Sequence, residues 1–522
     1  MDQEKNEMIS QPTPKKSFLS LFKSNKIIFV AIAMVAVIVA SAVIISASNK
    51  PIATIEKAFA NSVKSIEKSE TYQTVEDVLD GGSVEINLDL NELSEMFGED
   101  LDAQVNCKFF SNLDQTNFAM SCNATVDGTK AIDLIAAANE KYIAVSSDSL
   151  LNGAYGISLE TIDDDYFASE FCEGGAYELG ISDEQAEILF DMIDQLMDFQ
   201  KSSKEDQKTL RKVVQELLSD VQKYAEIEKG SGEVSVAGKD VKTNDITITI
   251  DEEALEKILS DFVDFLKKDK SVRKLVDRYS DRIGALYDNM DELLFVAGAP
   301  SAVLGASEDF SENFYDALDE LSDVIPDISD EVEDLEIEFT THIKSSKLIG
   351  ADIKVSVEGE KVIAVSLVVG MNWGDPDEIS VKIEEMGTKV SFSYVVETNS
   401  GKEYSATFRV KEDSETILSG SVKWDKKSGD FRVKGEMEDE TEFSFKANVL
   451  KSRNNVTIDL IEVAVDGEEQ SLKGIQIVLN EKDKMPDINK YENFLKLSED
   501  EIDALIEDVR EAASEIGDLL DY

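Results

Sequence analysis

Between Leu335 and Leu479 apolar and polar residues alternate, the period-two pattern of strands with one covered and one wet face. Leu335, Ile337, Phe339 and Ile343 share one face, as do Ile349, Ile353, Val355 and Val357. The pattern continues through Val390, Phe392, Tyr394 and Val396, then Tyr404, Ala406, Phe408 and Val410, then Phe443, Phe445, Ala447 and Val449. Their neighbours are Glu, Lys, Asp, Ser and Thr. Turn signals at Glu358-Gly359, Asn399-Ser400-Gly401, Ser428-Gly429, Asn454-Asn455 and Asp466-Gly467 divide the stretch into about eleven antiparallel strands.

The first half of the chain mixes periods. Ile55, Ala58, Phe59, Val63 and Ile66 recur at helical spacing after Pro51 and predict a helix over 52–68. Short strands follow over 83–90, 103–110, 116–126, 130–137 and 141–145, with a tight turn at Asp127-Gly128. Residues 146–180 are rich in Gly, Asp and Ser and predict a long surface loop, a feature that often carries function. Ser182 with Gln185 makes a capping box for the next helix, Asp251 caps another, and Ser498 with Glu501 opens a C-terminal one. Each helix has one apolar stripe and must pack on something.

One stretch has neither period. Between Ile27 and Ala47 there is no charge and no proline, and a helix of that length is about 32 Å long, enough to cross a bilayer. Lys15, Lys16, Lys23 and Lys26 precede it, so the positive-inside rule keeps residues 1–26 in the cytoplasm and exports the rest. The expected organisation is a basic cytoplasmic tail over 1–26, a transmembrane signal-anchor helix over 27–47, a mixed helix and short-sheet region over 48–332, and an antiparallel meander with a C-terminal helix over 333–522. The expected fold class is α+β: one transmembrane helix followed by long antiparallel meander sheets curled over packed helices. The expected localisation is the cell membrane, single-pass, with an extracytoplasmic body.

Charge changes the list of partners. The net charge is −56, with +2 on residues 1–26 and −58 after Ala47, and such a body is repelled by nucleic acid and by anionic head groups. With 42% hydrophobic residues the chain is nonetheless that of a folded protein. Cys107 and Cys122 flank a hairpin and could be a cross-strand disulfide or two ordinary small residues in a sheet; Cys172 is then the odd one out.

Candidate chemistry is sparse. His342 is the one histidine, placed by alternation on the wet face of its strand, so neither a multi-histidine zinc site nor a histidine pair can be built. No phosphate-cradling glycine loop or nucleophile elbow is present. The run Asp163-Asp164-Asp165 is the one concentration of carboxylates in the long loop, and a carboxylate-dependent glycan hydrolase would have to use it. Phe262 with Phe265, and Phe310 with Phe314 and Tyr315, recur at helical spacing as core or as the lining of an apolar cavity. No catalytic residue, metal or cofactor is expected.

The basic tail, single span, N-terminal helix and long meander resemble the layout of uncharacterised membrane-anchored proteins of Gram-positive bacteria. So does the segment Tyr491-Glu492-Asn493-Phe494-Leu495-Lys496-Leu497-Ser498-Glu499-Asp500-Glu501. A curled sheet with helices in its concavity is also similar in architecture to the lipoprotein-carrier fold, whose concavity holds acyl chains. These resemblances imply a non-enzymatic extracytoplasmic binding protein for a hydrophobic or lipid-like ligand. The alternative is an envelope scaffold or sensor that binds another envelope protein through the wet sheet face or residues 146–180.

Overall fold

A computed structural model of the chain describes residues 51–93, 102–112, 117–172, 174–177, 182–200, 204–296, 310–327, 334–486, 488 and 490–520. Among these residues it contains nine α-helices and a single 21-stranded sheet.

The helices are α1 (Pro51–Glu67), α2 (Glu70–Leu79), α3 (Ile162–Phe167), α4 (Asp183–Gln200), α5 (Lys204–Tyr224), α6 (Glu252–Lys268), α7 (Lys270–Val296), α8 (Phe310–Val324) and α9 (Glu499–Leu520). Their starts are written in the sequence. Ser182 N–H donates to Gln185 Oε1 at 2.8 Å and Gln185 N–H returns to Ser182 Oγ at 3.2 Å, a complete capping box. Asp251 accepts from Ala254 N–H at 2.8 Å to begin α6.

Strands β1 (Asp80–Asp89), β2 (Ala103–Asn112), β3 (Asn117–Val126), β4 (Thr129–Ala138), β5 (Tyr142–Ser147) and β6 (Gly153–Ser158) come from the first half. Next are β7 (Glu226–Val236), β8 (Lys239–Asp251), β9 (Glu336–Lys344), β10 (Lys347–Val357), β11 (Glu360–Val368), β12 (Glu378–Glu385) and β13 (Thr388–Asn399). The remainder are β14 (Glu403–Glu412), β15 (Glu415–Asp425), β16 (Asp430–Met437), β17 (Glu442–Lys451), β18 (Asn455–Val465), β19 (Glu468–Ser471), β20 (Ile475–Asn480) and β21 (Glu492–Asn493).

Nearly every strand pairs with its neighbour in sequence, and one long-range step joins the two runs. β20 lies between β18 and β1, with Ile477 opposite both Ile458 and Ile86. The sheet therefore reads β7 to β18 in order, then β20, then β1 to β6, with β21 on the far edge and β19 continuing beside β18. The strands on either side of residue 333 form one layer.

Three expectations are corrected. The sheet is mixed rather than wholly antiparallel, because β21 runs parallel to β6 through Glu492 and Asn493. The single-pass architecture, and with it the signal-anchor role and the membrane localisation, gains no support: among the described residues no helix is long and apolar enough to cross a membrane, and the stretch between Ile27 and Ala47 lies outside them. The helices, finally, do not fill the face of the sheet; they cover its two ends.

Residues 146–180 also differ from the expected loop. They contain β6 and α3. Gly156 in β6 has no room for a side chain, since a Cβ would meet the Tyr491 ring at 2.7 Å and Ala144 Cβ at 2.8 Å. Glycine there reflects close packing inside a sheet, and in the sequence it reads as loop.

Candidate functional site

Directly opposed residues share a face of a sheet, so the pairing register shows which side chains lie together. One row runs Ile379, Tyr394, Phe408, Gly420, Gly435, Phe443 and Val465 across β12 to β18. Another runs Val449, Ile458, Ile477, Ile86, Cys107, Cys122 and Leu134 from β17 to β4. Toward the other end Val365 meets Ile353, Ile353 meets Phe339 and Phe339 meets Ile248. A single apolar face thus passes without interruption from β8 to β6.

At the β8–β10 end this face is a core. Ile246, Ile248, Ile250, Ile337, Phe339 and Val355 pack under α1, α5, α6 and α8, with Leu255 and Ile258 of α6 0% exposed. Phe262, Phe314 and Tyr315 pack against this core, which gives these helical aromatics an ordinary structural place, and Phe310 is exposed. At the β6 end Tyr155 and Ile157 of the same face pack on a second cluster built from Tyr166, Phe171, Ala186, Leu495, Leu497 and Ile502.

Between these ends the face is open. No large apolar side chain that β11 to β18, β20 or β1 presents on it is buried; of the small ones, Ala406 and Ala447 are. Phe392 is 38% exposed, Ile383 44% and Met437 47%, and Phe109 and Phe118 further along are 43% and 45%. Burying a side chain of this size is worth about 1.5–3 kcal/mol, and soluble monomers rarely leave such residues in one contiguous patch.

The helix groups at both ends sit on this face and touch each other through α4 and α7. Laid flat at about 4.8 Å per strand, the sheet from β8 to β6 would span about 80 Å. Two helices of about 27 and 40 Å bridge the ends while leaving the face between them uncovered, so the sheet turns toward its apolar side. The result is an apolar trough closed at its ends by helices. Near β1–β5 its wall includes Val78 and Leu79 of α2, and a hollow of about 460 Å³ lies against Phe109, Phe118, Met120 and Ile143.

Glycines shape the floor. A Cβ on Gly420 would lie 2.3 Å from Phe408 Cζ, and one on Gly435 would lie 2.2 Å from Phe443 Cζ. The two rings lie over the two glycines, an arrangement that lets the sheet bend while keeping the floor aromatic. Cys107 and Cys122 are directly opposed in the same floor and are joined as a disulfide. Cys172 carries a free thiol that donates to the Ser169 carbonyl at 3.1 Å.

The opposite face carries an apolar cluster of Phe110, Ala119, Ala137, Ala144 and Ile488 over β2 to β5 and is mainly polar along the middle of the sheet. An amide ladder crosses four strands: Asn106 donates to Asn87, Asn87 to Gln476 at 3.0 Å, and Gln476 to Asp459 at 2.7 Å, along a groove of about 680 Å³. His342 lies on this face too, with Nδ1 3.1 Å from Asp245 and Nε2 2.8 Å from Asp352. Burial pushes its pKa down, but the two carboxylates win and the net direction is upward. Asp352 is held below the usual range, its burial outweighed by hydrogen bonds from His342 and Ser366.

The acidic run at 163–165 does not converge. Asp163 and Asp164 are exposed, while Asp165 is buried and receives Thr161 Oγ1 at 2.7 Å, Asn493 Nδ2 at 2.7 Å and Lys496 Nζ at 3.1 Å. It clamps the C-terminal segment to α3. Among the described residues no three His, Cys, Asp or Glu side chains gather as a metal site.

No family model matches the chain, and no curated protein or solved structure does either. What the chain does has to be sought in its own geometry.

Proposed function

We propose that this is a non-enzymatic binding protein that holds the hydrocarbon portion of a lipid-like ligand in the trough. The observation that carries this is the apolar face: continuous in register from β8 to β6, used as core at both ends, and left half-exposed between them. A face of this kind is costly to leave in water and has the width of a strand, about 30 Å, to accommodate an extended chain. Ligand pockets are characteristically apolar with a few polar groups at their margins, and the trough floor fits that description between Phe392 and Met120.

The test uses an uncharged fluorescent long-chain alcohol titrated into the full chain. Saturable binding is expected, and Phe392→Asp or Val422→Asp should weaken it at least tenfold, since a carboxylate in an apolar site costs several kcal/mol. Because these side chains are not buried, circular dichroism and the unfolding midpoint should stay close to those of the parent. Absence of saturable binding, or equal binding by the variants, contradicts the proposal.

A further inference from the structure

Successive hairpin loops fall alternately on the two long rims of the trough, and the rims differ in charge. On one rim the loops after β10, β14, β16 and β18 carry Glu358, Asp413, Glu438, Asp439, Glu440 and Asp466 with no base. On the other, the loop after β11 carries Asp375, which accepts from Asn399 Nδ2 at 2.7 Å, and Asp377, but the next three loops, after β13, β15 and β17, carry Lys402, Lys426, Lys427 and Arg453 with no acid. In a chain with 108 acidic and 52 basic residues this is the reverse of the overall balance.

The trough floor changes along the strands in the same sense. Beside the basic rim it ends in Tyr404 and Trp424, with the Tyr394 and Tyr404 hydroxyls bonded to each other and the Trp424 indole N–H donating to Val449 O at 3.0 Å. Lys426 Nζ lies 5.6 Å from the Trp424 ring centroid and 6.0 Å from that of Tyr404. Beside the acidic rim the floor has the hydrocarbon side chains Val390, Leu418, Met437 and Val465, and the carboxylate of Glu412, opposite Val390, stands at its margin. Glu403, Asp425 and Asp430 belong to the basic rim by position, but alternation with Tyr404, Trp424 and Phe431 puts them on the polar face. Asp425 there accepts the Lys427 and Ser428 N–H groups, and Asp430 pairs with Arg432. Lys402, Lys427 and Arg453 are exposed and form no ion pair among the described residues.

We infer that the trough takes an anionic amphiphile in one orientation: its carboxylate or phosphate head at the Lys402–Lys427–Arg453 rim, and its chain across the floor toward Leu418 and Met437. This rests on the proposed function and adds to it the ligand's charge and polarity. Aromatic rings with a polar edge suit the boundary between head and chain, and loop cations attract the head over roughly a Debye length. The acidic opposite rim repels a head placed the other way round.

The experiment compares three fluorescent probes of equal chain length, an alcohol, a fatty acid and an alkyl phosphate, on the full chain and on the triple variant Lys402→Glu, Lys427→Glu, Arg453→Glu. The parent should bind both anionic probes tighter than the alcohol, with the preference shrinking at high salt. The variant should lose about tenfold for the anions and nothing for the alcohol, the scale of a few screened surface charges. Equal affinity for all three probes, unmoved by the variant, overturns the orientation while leaving the trough itself intact. If the alcohol fails to bind, both fall. Association with anionic vesicles but not with monomeric probes also overturns the inference, because the basic rim would then serve a surface.

Discussion

The two stretches of one sheet, β8–β10 and β12–β18, have the same alternation and opposite fates. In β9 the residues Ile337 and Phe339 are 1% and 6% exposed, while Phe392 in β13, on the same face, is 38% exposed. Nothing in the strands themselves distinguishes them. The difference lies in the helices: β8 runs directly into α6 through the Asp251 cap, so that helix folds back over its own strand, whereas β11 to β18 are joined by short hairpins that bring no helix with them. A strand's apolar face becomes core or binding surface according to what its connection delivers.

The largest effects should come from testing that contrast directly. Leu255→Ala at the helix-covered end should lose about 2–5 kcal/mol of unfolding free energy, and Phe392→Ala in the trough under about 1 kcal/mol, measured by urea denaturation. Similar losses at both positions would erase the comparison. Next, Gly435→Val should lose about 1–3 kcal/mol, since its Cβ would lie 2.2 Å from Phe443 Cζ and the ring must leave the floor; alcohol binding should fall with it. Phe443→Ala combined with Gly435→Val should recover part of the stability if the ring is the obstacle.

Smaller effects concern charge at the covered end. Asp220 of α5 is buried with Oδ2 unpartnered among the described residues, and burial, then Asp261 and Glu216, push its pKa up to about 6. A carboxyl raised in the folded state binds a proton more tightly there, so the cost of the charge is complete above about 6 and is relieved as pH falls through 6 toward the ordinary value of 3.8. Asp220→Asn should therefore stabilise by about 1 kcal/mol at pH 8 and by less at pH 5. His342 gives the smallest effect and the same direction with pH, although its charge stabilises the fold where that of Asp220 costs. Its raised pKa means that its contribution is complete below the ordinary value of 6.5 and is lost as pH rises through the folded one. The denaturation midpoint at pH 6 should exceed that at pH 8 by more in the parent than in His342→Gln.

Much of the secondary structure was legible in the chain because it depends on neighbours in sequence. The alternation around Phe392 and Phe443, and the caps at Ser182 and Asp251, are local patterns with local consequences. The single layer was not legible, because β1 and β20 meet across nearly the whole chain, as the Thr74–Glu481 hydrogen bond with its separation of 407 residues also shows. The trough was half legible: the apolar face was evident, but which part the helices leave uncovered depends on how far each connection reaches. The clamp at Asp165 was read only as an acidic run, since Asn493 and Lys496 come from the far end of the chain. The two rims escaped notice because loop charges must be sorted by alternate hairpins before any pattern appears.

The most direct test of the trough is photo-crosslinking with a long-chain alcohol carrying a diazirine midway along its chain, followed by mapping of the labelled residues by mass spectrometry. The labels should share one parity across the strands, at Phe392, Phe408, Val422, Val433 and Phe445, and should spare Ser391, Thr407, Ser421, Lys434 and Ser444 between them. Labels on the intervening residues, or confined to the helices α6 and α8, would contradict the claim that the open apolar face is where the ligand lies.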